Sequence, residues 1–238
     1  GISLAAAFGL GPWSVLVVLV ALGAIIGLIL QRLILNRAVG ADPLPSLIAT
    51  FGLSIALQNA MLQVWSADTR SLPSDGIAQA SFQVGPLFVG VLPVIVLATA
   101  TVLTAGLATT MQYTRFGRSL RAASADVEAA AMTGVNPKNV YAGATALAVA
   151  ILGFAAVFQS MRSTVSPADG AFQLIYAFEA VIIGGMGSIF GAILSGLVLG
   201  MVEGLTKVVY PEASNVVVFL IMAVVLIWRP AGLFGRTA

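Results

Sequence analysis

The chain has 238 residues, of which 59% are hydrophobic and only 8% charged, with a formal net charge of +2 and neither cysteine nor histidine. A soluble domain carries roughly 25% charged residues, so an aqueous surface is excluded for most of the exterior and lipid must be its solvent. The composition also excludes disulfides, thiolate catalysis, Cys/His metal sites and histidine acid–base chemistry, and with no long Lys/Arg run there is no nucleic-acid surface.

The long apolar runs are rich in Leu, Ala, Val, Ile and Gly and lack period-two alternation, which disfavours a closed barrel and predicts an all-α polytopic membrane protein. Residues 1–11 read as the end of an earlier helix and a Gly-Pro turn, so N-terminal spans are expected to be missing. Residues 12–35 are apolar apart from Ser14, Gln31 and Arg32. As a helix they measure roughly 36 Å, enough to cross a hydrocarbon core of about 30 Å. Arg32, Arg37 and Asp42 mark a polar loop, and Pro43 and Pro45 open a second span over about 46–65, ending at the interfacial aromatic Trp65. A loop over 66–87 carries Asp68, Arg70, Pro73, Asp75 and Gly76, and a third span is expected over about 88–111. The loop from Gln112 to Lys138 holds Ala-rich residues that predict one helix over about 119–132, stopped by Gly134 and Pro137.

A fourth span covers about 139–161, followed by a short loop over 162–172. Residues 173–208 would measure about 54 Å as one helix, too long for a single crossing. Gly184-Gly185-Met186-Gly187-Ser188 therefore predicts a break into 173–184 and 188–208. A last span over about 214–228 precedes Arg229-Pro230-Ala231-Gly232-Leu233-Phe234-Gly235-Arg236. The total is about six spans plus the Gly-broken hairpin. Alternating the loops across the membrane puts Arg32, Arg37, Arg115, Arg118, Arg121, Lys138, Arg229 and Arg236 on one side and Arg70, Arg162 and Lys207 on the other. The richer side is cytoplasmic, and so is the C-terminus. The grouping works only if 173–208 enters and returns on one side, which supports the hairpin independently of its glycines.

Several stretches suit a mechanism. The short helix between the third and fourth spans suits a docking knob on the cytoplasmic side, with Gly134 turning the chain back to the membrane; a plain interfacial helix resting on headgroups accounts for the composition equally. On the second span, Ser46, Thr50, Ser54 and Gln58 recur every fourth residue and so share one face. They suit a solute path, and equally the hydrogen bonding that holds packed helices together. A charge at the bilayer centre costs about 2.5–3.5 kcal/mol on insertion scales. Glu179 must therefore face a cavity or a partner, or be protonated. With the free backbone of Gly184, Gly185 and Gly187 it suits a gate or solute contact, or else it braces the hairpin and touches no solute. Gly187, Gly191, Gly196, Gly200 and Gly204 form a small-residue stripe for close packing. In the 66–87 loop, Asp68, Arg70 and Asp75 are placed to meet charges on a partner, or are simply solvated.

Glu128-Ala129-Ala130-x-x-x-Gly134 resembles the EAA loop of ABC importer permeases, and Gly117-Arg118-x-x-Arg121-Ala122 through to Gly134 resembles the LivH-like subunit of the branched-chain amino-acid permease family. Thr50-Phe51-Gly52-Leu53-Ser54, Ala177-Phe178-Glu179-Ala180-Val181, the glycine break with Gly191-Ala192, and Arg229 to Gly235 agree with it, so the resemblance covers essentially the whole chain. It implies a single transmembrane permease domain over 1–238 in a bacterial inner membrane, with residues 117–134 as the coupling loop. It further implies a second permease subunit, two cytoplasmic ABC ATPases and a periplasmic substrate-binding protein as partners. Arg121, Asp126, Glu128, Ala129, Ala130 and Gly134 would couple to an ATPase. The chain has no Gly-x-x-x-x-Gly-Lys-[Ser/Thr] loop, so ATP would be used by the partners, with no cofactor on this chain and no enzyme activity of its own. The substrate implied is a branched-chain amino acid, a short amide or urea. An ion- or proton-coupled transporter is the alternative, and it would call for several paired intramembrane charges. A channel would call for a filter or a charged ring.

Overall fold

The computed structural model describes residues 2, 9, 11–38, 44–66, 68–72, 76–77, 79–85, 87–185 and 187–235. The expectations that fall on residues 3–8, Asp42, Pro43, Pro73, Asp75, Met186 and Arg236, and on the side chain of Ser46, lie outside them. The chain divides into two compact units, Gly1–Pro167 and Ala168–Ala238.

The first unit begins with α1, Pro12–Leu30, which Pro12 starts with its fixed φ behind an extended Gly11. A π-helical turn, Gln31–Leu35, continues it to Ala38. α2 is Leu44–Trp65, α3 is Val91–Tyr113, α4 is Arg115–Ala125, α5 is Val127–Met132 and α6 is Pro137–Arg162. The second unit holds α7, Gly170–Gly184, α8, Ile189–Val209, and α9, Ser214–Trp228.

Among the described residues, four segments are long and apolar enough to cross a membrane, namely Pro12–Leu35, Val91–Tyr113, Pro137–Arg162 and Ile189–Val209. Val216–Trp228 is a shorter apolar helix. The second expected span exists as α2, whose Gln58, Asn59 and Gln63 dilute its apolar character.

Two local expectations need correction. The chain is not wholly helical, because β1, Ser81–Val84, and β2, Leu87–Gly90, form an antiparallel hairpin within the 66–87 loop and its boundary. Gly85 takes φ +61 at its turn, a conformation that favours glycine. The third span therefore starts at Val91 and not near residue 88. In the loop that follows, the expected single helix over 119–132 is two helices with extended Asp126 between them. Alanine propensity favours helix throughout, but a carboxylate at Asp126 gains more by capping the second helix than by continuing the first.

The first unit is built on the crossing of α1 and α6. A Cβ on Gly23 would lie 2.7 Å from the Val149 carbonyl oxygen, one on Gly27 2.7 Å from the Ala146 Cα, and one on Gly153 2.7 Å from the Leu19 carbonyl oxygen. The backbones touch, as small residues four apart allow in lipid. Buried Ala142, Ala146 and Ala150 supply the matching stripe on α6. A polar link closes the far end: buried Gln31 accepts from the Thr145 hydroxyl at 2.6 Å and donates to Asn36 Oδ1 at 3.1 Å. Gly27→Leu is expected to force the helices apart at a cost of about 1–3 kcal/mol or more. Thermal unfolding of the purified protein in detergent should show a clear drop in midpoint for Gly27→Leu and little change for Gly106→Leu, whose Cβ would meet nothing within 4 Å.

Candidate functional site

The segment between α3 and α6 is tied down residue by residue. The Thr114 hydroxyl accepts the Gly117 N–H at 3.2 Å and caps α4. Gly117 sits directly against the Met111 backbone, where a side chain has no room. Arg121 donates back to the Met111 carbonyl and Arg118 to the Tyr113 carbonyl, the latter at 3.1 Å. The Tyr141 hydroxyl donates to the Ala123 carbonyl at 2.8 Å, pinning α4 to α6. Asp126 Oδ1 accepts the N–H groups of Glu128 and Ala129 at 2.9 and 3.0 Å and starts α5. Gly134, at φ +85, ends it, and its N–H bonds to the Ala131 carbonyl at 3.0 Å.

The six candidate coupling residues therefore divide. Glu128 and Ala129 are exposed on α5, whereas Ala130 is buried, only 4% exposed, and turned to the rest of the unit. Arg121, Asp126 and Gly134 hold the backbone in shape. Met132 is 90% exposed at the end of α5, an apolar side chain with no cover from this chain. A cavity of about 590 Å³ lies beside it, lined by Val127, Ala131, Gly134, Lys138 and Tyr141 among others.

On α2, Thr50 and Ser54 are exposed and Gln58 is half-buried. Ser54 and Gln58 have no side-chain hydrogen-bond partner among the described residues, so that part of the stripe holds no helices of this chain together.

The glycine break is present and α7 and α8 form a hairpin. Gly184 abuts the backbone of Gly191 and Ala192, and a Cβ on Gly196 would lie 3.8 Å from that of Ala180. Along the small-residue stripe, Cβ atoms on Gly187, Gly200 and Gly204 would meet nothing within 4 Å, so among its members Gly191 and Gly196 alone pack against the hairpin. Gly185 and Gly187 have φ +97 and +88. Ser188 caps α8 by accepting the Gly191 N–H at 3.0 Å, and the Ser195 hydroxyl donates to the Ala180 carbonyl.

The C-terminal segment folds onto this break. Leu233 N–H donates to the Ile183 carbonyl at 2.8 Å and Phe234 N–H to the Gly184 carbonyl at 3.1 Å. These are carbonyls that the end of α7 leaves without a partner in its own helix. Gly185 lies against the Gly235 backbone, Gly232 against Gly185, and the Phe190 and Phe234 rings meet edge to face with centroids 5.8 Å apart. Glu179 is 1% exposed, and among the described residues neither carboxylate oxygen has a hydrogen-bond partner. The hairpin is braced by Ser195 and the C-terminal segment.

The family model described as "Branched-chain amino acid transport system / permease component" matches residues 2–226. The chain belongs to this permease family. It is 29% identical over 217 residues to the high-affinity branched-chain amino acid transport system permease protein BraD of Pseudomonas aeruginosa, covering 88% of this chain and 70% of that protein. It is 30% identical over 226 residues to the corresponding LivH of Salmonella typhimurium, with 90% and 73% covered. A shorter match, 31% over 123 residues, is to LivM of Escherichia coli, covering 51% of this chain and 29% of that protein. No solved structure matches the chain significantly.

Within this permease, sequence reasoning missed three features. Met132 was hidden at the end of an Ala-rich run. The contact between Arg229–Gly235 and Gly184–Gly185 joins two motifs far apart in sequence, and no local pattern signals it. The Gly23/Gly27 crossing did carry a signal, the four-residue glycine spacing within the first span.

Proposed function

We propose that this permease component is the membrane-spanning subunit of an ATP-driven importer, that it passes branched-chain amino acids by alternating access, and that α5 receives the stroke of a cytoplasmic ATPase. The observation that carries the coupling role is the make-up of α5: a short helix with a tied-down backbone that presents Glu128, Ala129 and Met132 outward. A tied-down knob whose outward residues are one acidic, one small and one apolar side chain suits insertion into a partner's groove. The whole chain serves one transmembrane domain with about six spans, in a bacterial inner membrane, with α5 and the C-terminus cytoplasmic. It works beside a second permease subunit, two ATPases and a periplasmic binding protein. The chain itself binds no ATP or other cofactor.

The polar face of α2 is the proposed lining of the solute path, since Ser54 and Gln58 have no side-chain partner among the described residues. Glu179 and the backbone of Gly184, Gly185 and Gly187 form the second candidate for that path, where a buried carboxyl without a hydrogen-bond partner among the described residues is free to meet a partner subunit or a solute. Ion or proton coupling is the competing reading. Vesicles containing the complete complex separate the two: leucine accumulation should stop when ATP is withheld and persist with an uncoupler present. Accumulation that persists without ATP and collapses with the uncoupler would reject the ATP-driven reading.

A further inference from the structure

At the end of the first unit opposite α5, the N-terminal part of α1, the C-terminal ends of α2 and α6, and residues 68–72 line an open cavity of about 400 Å³. That volume falls within the range of small-molecule sites, roughly 300–1,000 Å³. Its interior is apolar, with Val15, Leu19, Met61 and Leu72 on its wall, and two charged residues, Asp68 and Arg70, also line it. Backbone pairing places the charges. Arg70 N–H donates to the Val165 carbonyl at 3.1 Å, Val165 N–H returns a bond to the Arg70 carbonyl at 2.8 Å, and Leu72 N–H donates to the Ser160 carbonyl at 2.8 Å. The segment is thus pinned in extended form to the end of α6. In extended chain every second side chain faces the same way, which agrees with Asp68, Arg70 and Leu72 all lining the cavity. Among the described residues neither the Asp68 nor the Arg70 side chain has a hydrogen-bond or ion-pair partner, and they do not pair with each other.

An apolar cavity with one carboxylate and one guanidinium on its lining is complementary to a solute that carries both charges on one carbon and an apolar tail. We infer that this cavity binds a branched-chain amino acid as it enters from the periplasmic side, with Arg70 holding the carboxylate, Asp68 the ammonium, and the branched side chain in the apolar interior. The guanidinium fork bonds a carboxylate with two parallel N–H donors, which fixes the orientation of the solute. The site rests on the transport reading above and adds an entry point within the membrane subunit.

The test is equilibrium binding of radiolabelled L-leucine to the purified permease complex in lipid nanodiscs, with no periplasmic binding protein present. Binding should be saturable. Asp68→Asn and Arg70→Gln should each weaken it by roughly tenfold or more, as expected for losing a hydrogen bond to a charged group. In competition, leucinamide and 4-methylpentanoate, each lacking one of the two charges, should be weaker than leucine by a similar factor. Ala156→Phe, which fills the cavity wall, should weaken leucine binding more than alanine binding. Absence of saturable binding in a complex that accumulates leucine once binding protein and ATP are supplied would overturn the site and leave the transport reading standing. Failure of that complex to accumulate leucine would instead sink the transport reading. Equal binding by Asp68→Asn and Arg70→Gln would also overturn the assignment. So would a phospholipid retained by the wild type and lost from Arg70→Gln without any leucine binding, because the cavity would then be a lipid seat.

Discussion

Gly185→Val is expected to abolish the seating of the C-terminal segment on the α7–α8 hairpin. Three costs add at this one residue. Its φ of +97 is a region that a β-branched residue occupies at a cost of about 1–3 kcal/mol. A Cβ there runs into backbone atoms of Phe234 and Gly235, which have no rotamer by which to escape. Displacing that segment breaks the bonds from Leu233 and Phe234 to the Ile183 and Gly184 carbonyls. A polar group left unsatisfied in an apolar surround costs about 1–3 kcal/mol. Gly187 separates these contributions, because it shares the positive φ yet a Cβ on it would meet nothing within 4 Å. Gly187→Val should therefore lose only the backbone part. Steady-state amounts in membranes and thermal midpoints of purified protein should rank wild type above Gly187→Val and Gly187→Val above Gly185→Val. A chain ending after Trp228 should behave like Gly185→Val. A Gly185→Val protein as stable as the wild type would show that the segment does not seat there.

The long elements were legible because lipid leaves the chain few choices. Backbone groups within a bilayer must bond internally, so each apolar run long enough to cross becomes a helix. α1, α6 and α8 follow closely the runs read from the sequence. The glycine break was legible for the complementary reason that a continuous helix over 173–208 is longer than any bilayer is thick. Local chemistry was less legible. At Asp126 a side-chain cap overrides the helix propensity of the alanines around it, and composition does not reveal which of two satisfactory hydrogen-bonding patterns wins. At residues 81–90 a short hairpin competes with the start of a helix, and Gly85 at φ +61 decides for the turn. The pairing of Arg229–Gly235 with Gly184–Gly185 is a tertiary fact that no sequence period carries. The candidate coupling residues were legible as a group but not in their division of labour, since inward Ala130 and outward Ala129 are neighbours of the same residue type.

That division of labour sets the second large effect. If α5 is the knob that an ATPase receives, its outward residues control coupling and its inward residues control folding. Met132→Asp should cut ATP-dependent leucine uptake strongly, because a side chain that is 90% exposed in the free chain contributes about 1.5–3 kcal/mol when buried in a partner's groove. Replacing it by a carboxylate removes that contribution and adds a desolvation cost, so docking should weaken by roughly tenfold to a hundredfold. Ala129→Arg should act similarly by bulk. Both variants should reach the membrane in normal amounts with unchanged thermal midpoints, since neither side chain is buried within this chain. Ala130→Arg should do the opposite in kind: it forces a long charged side chain into a site that is 4% exposed, so the loss should appear first as lowered stability. Uptake in vesicles, co-purification of the ATPase and thermal unfolding, measured on the same three variants, separate a docking surface from a structural brace. Normal uptake by both Met132→Asp and Ala129→Arg would mean that α5 only lies at the membrane surface, as its alanine-rich composition also permits.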